Sequence, residues 1–484
     1  MGSQIGHSDG EALDFASFSN IIDGDKKRTE STIHGINPAT LEALYPVPLS
    51  TKTDIDAAIA AARAAFKTWR KTAVEDRKQR LRAFAEGLLL HKNEFAHLLT
   101  KEQGKPLAVA ESEVDNAARW LTGTAELDIP VETVVETPTS LIKTKYVPLG
   151  VVVGIVPWNF PLMLLTGKVG PAVLTGNCII IKPSPFTPYC GLKAIELAQR
   201  YFPPGVIQAL SGDDSLGPQL TARSDIHKIS FTGSTATGKR VMESASKHLT
   251  RITLELGGND PAIICPDVDV QAVAEKMAGL AFLNSGQVCI AVKRIYVHEN
   301  IYEEFRAAMV KKVESYGVGN GLQKDVFLGP VQNRLQFDRV KEFLDDIRQE
   351  KQVVCTGGDV LQTKERGFFV QPTIVDNPPD DSKIVREEPF GPVVPLLRWA
   401  DEEEVIARAN DSNAGLGASV WSSDVEHARC IGEELEAGSV WINQHMGIIP
   451  TAHFAGHKSS GIGGEWGVDG LRGYCNTQTV FVNR

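Results

Sequence analysis

The sequence predicts an α/β protein made of two units, each a largely parallel sheet covered by helices on both faces. Three observations lead there. The chain is 484 residues long, beyond the size at which a single hydrophobic core stops growing. From about residue 140, short apolar runs alternate with helical stretches, the pattern of a buried parallel sheet. A second alternating series then starts at residue 261, after the Gly257-Gly258 pair.

Taken in order, the N-terminal part opens helix-rich. Residues 54–71, DIDAAIAAARAAFKTWRK, place Ala, Ile and Phe at helical spacing behind a Thr53/Asp54 cap, and further helical patterns cover 75–99 and 108–125. LIKTKYV (141–147) reads as an extended arm and GVVVGIV (150–156) as a short buried strand. CIIIK, VIQAL, HKISF and RITLEL read as further strands, with helices near 162–174, 188–202, 215–222 and 235–247 between them. The second series begins with PAIIC (261–265), passes through a helix at 269–284, resumes with VKRIYV and runs to about 445. TVFVN near the C-terminus reads as an isolated strand that must find a partner elsewhere, as on another subunit.

Composition sets limits. Hydrophobic content of 42% and charged content of 23% describe an ordinary globular protein, and a formal charge of −10 argues against nucleic acid as a partner. Seven scattered cysteines without a C-x-x-C pair indicate neither a zinc cluster nor a disulfide framework, so no metal is expected and a reducing, cytoplasmic location fits. The opening MGSQIGHSDGEALDF lacks a basic region followed by an apolar core, and Gly6 stands where a myristoylation signal has Ser or Thr, so no export or lipid anchor is expected. Tyr146 to Gly167 carries no charge over the length of a membrane span. Pro148, Pro157 and Pro161 interrupt any helix there and Asn159 would bring an amide into lipid, so a strand, a loop and a helix are expected and no membrane partner.

Several short stretches carry residues suited to chemistry. In FTGSTATGKR (231–240) a strand ends, Gly233 and Gly238 bracket a turn, and a helix begins at Ser234; its free amides can cradle a phosphate, or the turn is only structural. Lys182 ends the strand CIIIK, where open α/β sheets bind ligands, or it is a surface lysine before a Pro-rich loop. Glu255, between leucines at a strand end, is expected to have a raised pKa and to suit a general base, the plainer reading being a salt-bridged glutamate at the sheet rim. Asn159 in PWNFP offers an amide donor to an oxyanion or satisfies a turn. Cys289 in NSGQVCIAVKR is a nucleophile or an inert buried thiol.

PWNFP, CIIIKPS, FTGSTATG, LELGG, GQVC and EEPFGP, in this order and across nearly the whole chain, resemble the aldehyde dehydrogenase superfamily. The resemblance implies a Rossmann-like coenzyme domain, an α/β catalytic domain and a small β oligomerisation arm. It implies an enzyme oxidising an aldehyde to the acid with NAD or NADP. Cys289 matches the nucleophile that forms a thiohemiacetal and then a thioester. Asn159, with the Cys289 backbone N–H, matches the oxyanion hole, and Glu255 matches the base that activates water. Lys168 and Glu465 match a Lys–Glu pair proposed as a proton relay. Glu388 and Phe390 match contacts to the nicotinamide ribose and ring, Lys182 and Ser234 contacts to the adenosine ribose and pyrophosphate. The implied coenzyme set also includes Ile155, Pro157 and Trp158, Ser184 and Pro185, Gly233 and Gly238, and Leu256 beside Glu255.

The same resemblance places coenzyme binding in 1–129 and 150–256, catalysis in 257–447, a returning segment that lines the substrate tunnel in 448–473, and the arm in 130–149 and 474–484, with a homodimer or homotetramer supplying TVFVN its partner. Two departures stand out. Pro185 replaces a glutamate that repels a 2′-phosphate, so NADP is expected to bind as well as NAD, and His453-Phe454-Ala455-Gly456-His457-Lys458 alters the tunnel wall. The expected tunnel residues are Phe160, Met163, Leu164, Gly167, Val288, Ile290, His445, Ile448 and Phe454. Gly167 stands where several relatives have a bulky aromatic, which should leave room, and none of these is an arginine. Aromatic or medium-chain aldehydes are therefore expected, ahead of a semialdehyde such as succinate semialdehyde. A CoA-acylating relative lacks the deacylating glutamate, and a non-catalytic one can lose Cys or Glu; this chain has both.

Overall fold

A computed structural model describes residues 13–361 and 366–484; the stretch MGSQIGHSDGEA, read above for a leader, lies outside them. Five parallel strands form the middle of the first sheet, in the order Ile207–Ala209, Cys178–Lys182, Val151–Ile155, Lys228–Thr232, Arg251–Glu255. The hairpin Asn20–Ile22/Asp25–Lys27 and the short strand Gly461–Ile462 add antiparallel edges. The chain steps away from Val151–Ile155 in one direction and later returns to its other side. Strand order therefore reverses there, and ligands of such sheets bind outside the carboxyl ends at that point. PWNFP, Lys182, Gly233-Ser234 and Leu256 all follow carboxyl ends of these strands.

The second sheet runs Val353–Thr356, Thr373–Asp376, Val393–Trp399, Val292–His298, Asp260–Ile264, Gly417–Trp421, Ser439–Ile442, all parallel except the first. Only residues 256–259 separate the last parallel strand of the first sheet from the first strand of the second. Both sheets are buried on both faces, which is why strands such as Cys178–Lys182 and Asp260–Ile264 read as unbroken apolar runs instead of alternating.

Local chemistry moves several boundaries. The first helix, Lys52–Trp69, starts from Thr51 and not Thr53: Thr51 Oγ1 accepts from Asp54 N (3.3 Å) while Asp54 Oδ2 accepts from Thr51 N (2.7 Å), a reciprocal capping box. The predicted 75–99 helix is two helices, Val74–Leu90 and Lys92–Gln103, broken where His91 leaves helical geometry (φ −109°, ψ 24°). Short strands before residue 50 escaped the sequence reading. The expectation for TVFVN needs correcting. It lies in the strand Cys475–Asn483, which pairs antiparallel with Ser140–Pro148 of the same chain, Cys475 opposite Pro148 and Asn483 opposite Ser140. Glu132–Glu136 completes that three-stranded sheet. The charge-free stretch 146–167 is, as expected, strand then loop then helix, and no helix among the described residues is long and apolar enough to cross a membrane.

Candidate active site

Two cavities meet at Cys289. The larger, of about 670 Å³, and a second of about 460 Å³ share Asn159, Leu164, Thr232, Leu256 and Cys289 in their walls. Glu255, Lys168 and Glu465 face only the larger one; Ser234, Glu388 and Phe390 face only the smaller.

Cys289 is carried by a tightly specified loop. Asn284, Ser285 and Gly286 all adopt left-handed conformations (φ 53°, 56° and 71°), and a Cβ at Gly286 would collide with the Gly391 carbonyl, so only glycine fits there. The Gln287 side chain ties the loop down, Nε2 donating to Asn284 O (2.9 Å) and Oε1 accepting from Gln332 N (2.8 Å). The thiol is half-buried, and burial pushes it up to about 12. Glu388, Asp260 and Glu255 add to that rise and Lys293 opposes it.

Asn159 sits in the loop before the helix Pro161–Leu174 and is almost fully buried. Its Nδ2 donates to Gln287 O (3.0 Å), which holds the carboxamide beside the Cys289 loop. The Asn159 main-chain carbonyl accepts from Lys105 Nζ (2.8 Å). Lys105 also pairs with Glu113 (2.5 Å), both side chains wholly buried, and lies 3.7 Å from the Phe160 ring centre. Glu113 Oε1 accepts from Leu162 N (2.9 Å) and Met163 N (3.2 Å), a carboxylate placed on the free amides of a helix start. Sequence reading missed this pair, because nothing near GKP or in the helix Leu107–Thr124 marks residues that act on a loop some fifty positions on.

Glu255 ends the strand Arg251–Glu255, is nearly inaccessible, and its carboxylate has no side-chain hydrogen-bond partner among the described residues. Burial, and after it the neighbouring Glu465, drive its pKa well above the ordinary carboxylate range, as the sequence suggested. Lys168 Nζ donates to Ser230 Oγ (2.8 Å) and to Glu465 Oε1 (3.2 Å), and Ser230 Oγ donates to the same Glu465 oxygen. The Lys168–Glu465 pair and Glu255 thus share one wall of the larger cavity.

The smaller cavity suits a dinucleotide. Gly233, Ser234, Thr235 and Ala236 bring the start of the helix Thr235–Ser246 to its wall, where free amides favour a phosphate; Ser234 Oγ caps the helix by accepting from Thr237 N (3.3 Å). Glu388 Oε1 accepts from Gly258 N (3.3 Å) and faces Lys293 Nζ (3.1 Å), and a carboxylate there can also accept from ribose hydroxyls. Pro157, Trp158 and Leu256 line it too. The Trp158 and Phe390 rings meet edge to face at 5.3 Å, and Phe390 takes a left-handed backbone (φ 47°) to do so. Ile155, Lys182, Ser184 and Gly238 lie outside its wall, although Gly238 permits Leu256 to pack close on the helix. Lys182 is buried and brought down to about 8, while Asp214 and Asp213 oppose that fall; the two aspartates and Pro185 line a separate groove of about 320 Å³.

A profile described as the aldehyde dehydrogenase family matches residues 25–480. The chain belongs to the aldehyde dehydrogenase family. It is 41% identical over 470 residues to a Fusarium aldehyde dehydrogenase, LUC3, a match covering 97% of this chain and 100% of that one. Its structure is similar to that of a Bacillus cereus aldehyde dehydrogenase in complex with NAD+ (TM-score 0.93, 35% identity, 96% of each chain covered). It is also similar to an NADP dependent enzyme of E. coli (TM-score 0.94, 33% identity, 97% and 99% covered). The protein is an NAD(P)-dependent aldehyde dehydrogenase with the family's α/β fold, an oxidoreductase that takes NAD or NADP as coenzyme.

The predicted tunnel positions of this aldehyde dehydrogenase line the larger cavity, with one exception and one surprise. His445 is outside it: buried against the Trp441 ring, its Nε2 bonds to Ile290 O (2.9 Å), and burial lowers it to about 3, so it is neutral. At Gly167 the expected room is taken. A Cβ there would lie 2.8 Å from Trp466 Nε1 and 3.4 Å from Trp120 Cδ1, so the aromatic wall comes from two indoles instead of residue 167. Their rings meet at 5.0 Å, and Phe454 stacks on Trp466 at 5.1 Å. An arginine does reach the cavity, Arg119, exposed at its edge and donating to Ile448 O (3.0 Å). Trp120 and Arg119 come from a helix that packs on Pro161–Leu174, and only the fold reveals that they face the larger cavity.

Proposed function

We propose that this enzyme oxidises aromatic or medium-chain aldehydes to carboxylic acids through a thioester on Cys289. The observation that carries the reading is that Cys289 and Asn159 belong to the walls of both cavities, one apolar and one suited to a dinucleotide. The Cys289 thiolate attacks the aldehyde carbon, and the new alkoxide accepts a hydrogen bond from the Asn159 carboxamide, which turns from Gln287 O to meet it. A nicotinamide coenzyme, which Ser234, Glu388 and Phe390 would hold in the smaller cavity, would supply hydride acceptance beside Cys289. Glu255 then takes a proton from water, the hydroxide adds to the thioester carbon, and the acid leaves as the Cys289 thiolate is released. Lys168 and Glu465 carry that proton away from Glu255.

Residues 1–129 and 150–256 serve the coenzyme, 257–447 the catalytic loop, and 448–473 the tunnel. The segments 130–149 and 474–484 serve assembly into a dimer or tetramer; exposed Val134 and Phe481 on their sheet support that last assignment. The expectation drawn from Pro185, that NADP binds as well as NAD, shifts toward NAD because Asp213 and Asp214 line the same groove as Pro185 and add negative charge there. A panel of aldehydes assayed with each coenzyme tests the proposal. Turnover of benzaldehyde, phenylacetaldehyde or hexanal at least tenfold above succinate semialdehyde, in kcat/KM, is expected. The reverse ranking overturns the substrate class, and a strict requirement for CoA overturns the hydrolytic route.

A further inference from the structure

The environment of Cys289 poses a problem that the motifs do not solve. A half-buried thiol with Glu388, Asp260 and Glu255 around it is badly placed to become an anion, yet attack on a carbonyl needs the thiolate. Of the charged neighbours that act on it, Lys293 has the largest effect, and it is a cation. Lys293 follows Cys289 by four residues and its side chain folds back onto the nucleophile's own loop. Its Nζ donates to Cys289 O (2.6 Å) and Val288 O (2.9 Å), and pairs with Glu388 Oε1 (3.1 Å), with the side chain 3% exposed. The next cation in the chain, Arg294, is turned elsewhere, donating to Asn259 O (2.9 Å) and Ala409 O (2.8 Å).

We propose that Lys293 is the counter-charge of the Cys289 thiolate, a positioning residue whose ammonium is held against the nucleophile by that residue's own carbonyl and is tempered by Glu388. An ammonium buried this deeply loses its hydration, and three main-chain carbonyls, those of Val288, Cys289 and at 3.5 Å Ala291, with one shared carboxylate compensate only in part. What the arrangement gains is a positive charge in a low-dielectric pocket, where it acts strongly on a neighbouring sulfur. Glu388 sets the strength of that effect. While its carboxylate faces Lys293 the net field at the thiol is weak, and removing the carboxylate leaves the ammonium's field less opposed.

The inference rests on Cys289 being the nucleophile, and the test separates the two ideas. Coenzyme-free protein is alkylated with iodoacetamide from pH 6.5 to 10.5, and the rate at the Cys289 peptide is followed by mass spectrometry. That range lies below the thiol's midpoint, so the rate at each pH follows the thiolate fraction, and Lys293→Met slows alkylation about tenfold throughout, the mark of a thiol raised by about one pH unit. Lys293→Arg stays near the parent curve, and Glu388→Gln speeds alkylation. A residue that only packs the loop does not give shifts of opposite sign. A Lys293→Met curve that superimposes on the parent's overturns the proposal, as does Glu388→Gln alkylation that is unchanged or slower. Should Lys293→Met fail to fold, Lys293→Gln takes its place with the same expected slowing, since Glu388 also raises the thiol directly and its removal does not isolate Lys293. Undiminished turnover in Cys289→Ala sinks the nucleophile reading instead, whereas Cys289-dependent turnover with unchanged alkylation curves sinks only the role of Lys293.

Discussion

Replacing Lys105 by Met tests how the Asn159 loop is held. The substitution removes an ion pair at 2.5 Å, a hydrogen bond to Asn159 O at 2.8 Å and a cation 3.7 Å from the Phe160 ring. It also leaves Glu113, wholly buried, as an anion with only two amide donors from the helix Pro161–Leu174. Breaking a buried pair by removing one partner costs about 3–5 kcal/mol, because the remaining charge is uncompensated. Changing Glu113→Gln in the same chain removes that charge while Oε1 still accepts from both amides, so the double variant should lose only about 1–2 kcal/mol, below the Lys105→Met loss itself. Urea unfolding followed by tryptophan fluorescence measures both. In the folded single variant kcat should fall about a hundredfold with coenzyme Kd unchanged, since the oxyanion donor loses its anchor and the dinucleotide wall does not. A double variant as unstable as the sum of the two single ones would refute the reasoning.

The other expectations concern pH, shape and coenzyme. Because burial raises the Glu255 carboxyl well above 4.5, its base form appears only as pH climbs past the ordinary carboxylate range. Thioester hydrolysis measured by stopped flow should therefore keep rising with pH beyond the ordinary carboxylate range, and a rate that levels off within that range contradicts this assignment. The folded state also holds that proton more tightly than the unfolded chain, so this group favours folding at low pH and that contribution is lost as pH rises through its folded pKa. Gly167→Phe must displace the Trp466 and Trp120 indoles, so KM for benzaldehyde should rise at least tenfold; an unchanged KM means the indoles do not bound the tunnel. Changing Asp213 and Asp214 to Ser should raise kcat/KM with NADP at least fivefold and leave that with NAD within a factor of two, which steady-state kinetics with each coenzyme reads directly.

Residues on strand ends were legible in the sequence. Asn159, Glu255 and Ser234 lie in short stretches where an apolar run stops at a glycine or proline, and those stretches mark both a local backbone shape and a place outside a sheet's carboxyl edge, whereas Cys289 lies in a loop that precedes its strand, Val292–His298. Residues that act across helices were not. Trp120, Arg119, Lys105 and Glu113 sit in or beside one ordinary amphipathic helix, and which of its faces meets the tunnel depends on how it packs against Pro161–Leu174. The Gly167 expectation failed for the same reason: a small residue predicts space only if nothing distant fills it, and Trp466 does. TVFVN was readable as a strand, but its in-chain partner lies more than 300 residues earlier, a distance no local pattern encodes. His445 looked like a tunnel residue by position, yet its ring turns inward to Ile290 O.

The central claim is that the acyl group passes through Cys289 and is released by Glu255. Glu255→Gln protein mixed with benzaldehyde and coenzyme, quenched in acid and digested, should yield the peptide containing Cys289 carrying one benzoyl group, with about one reduced coenzyme formed per active site and no further turnover. Continued steady-state turnover, or a benzoyl group on any other residue, would contradict it.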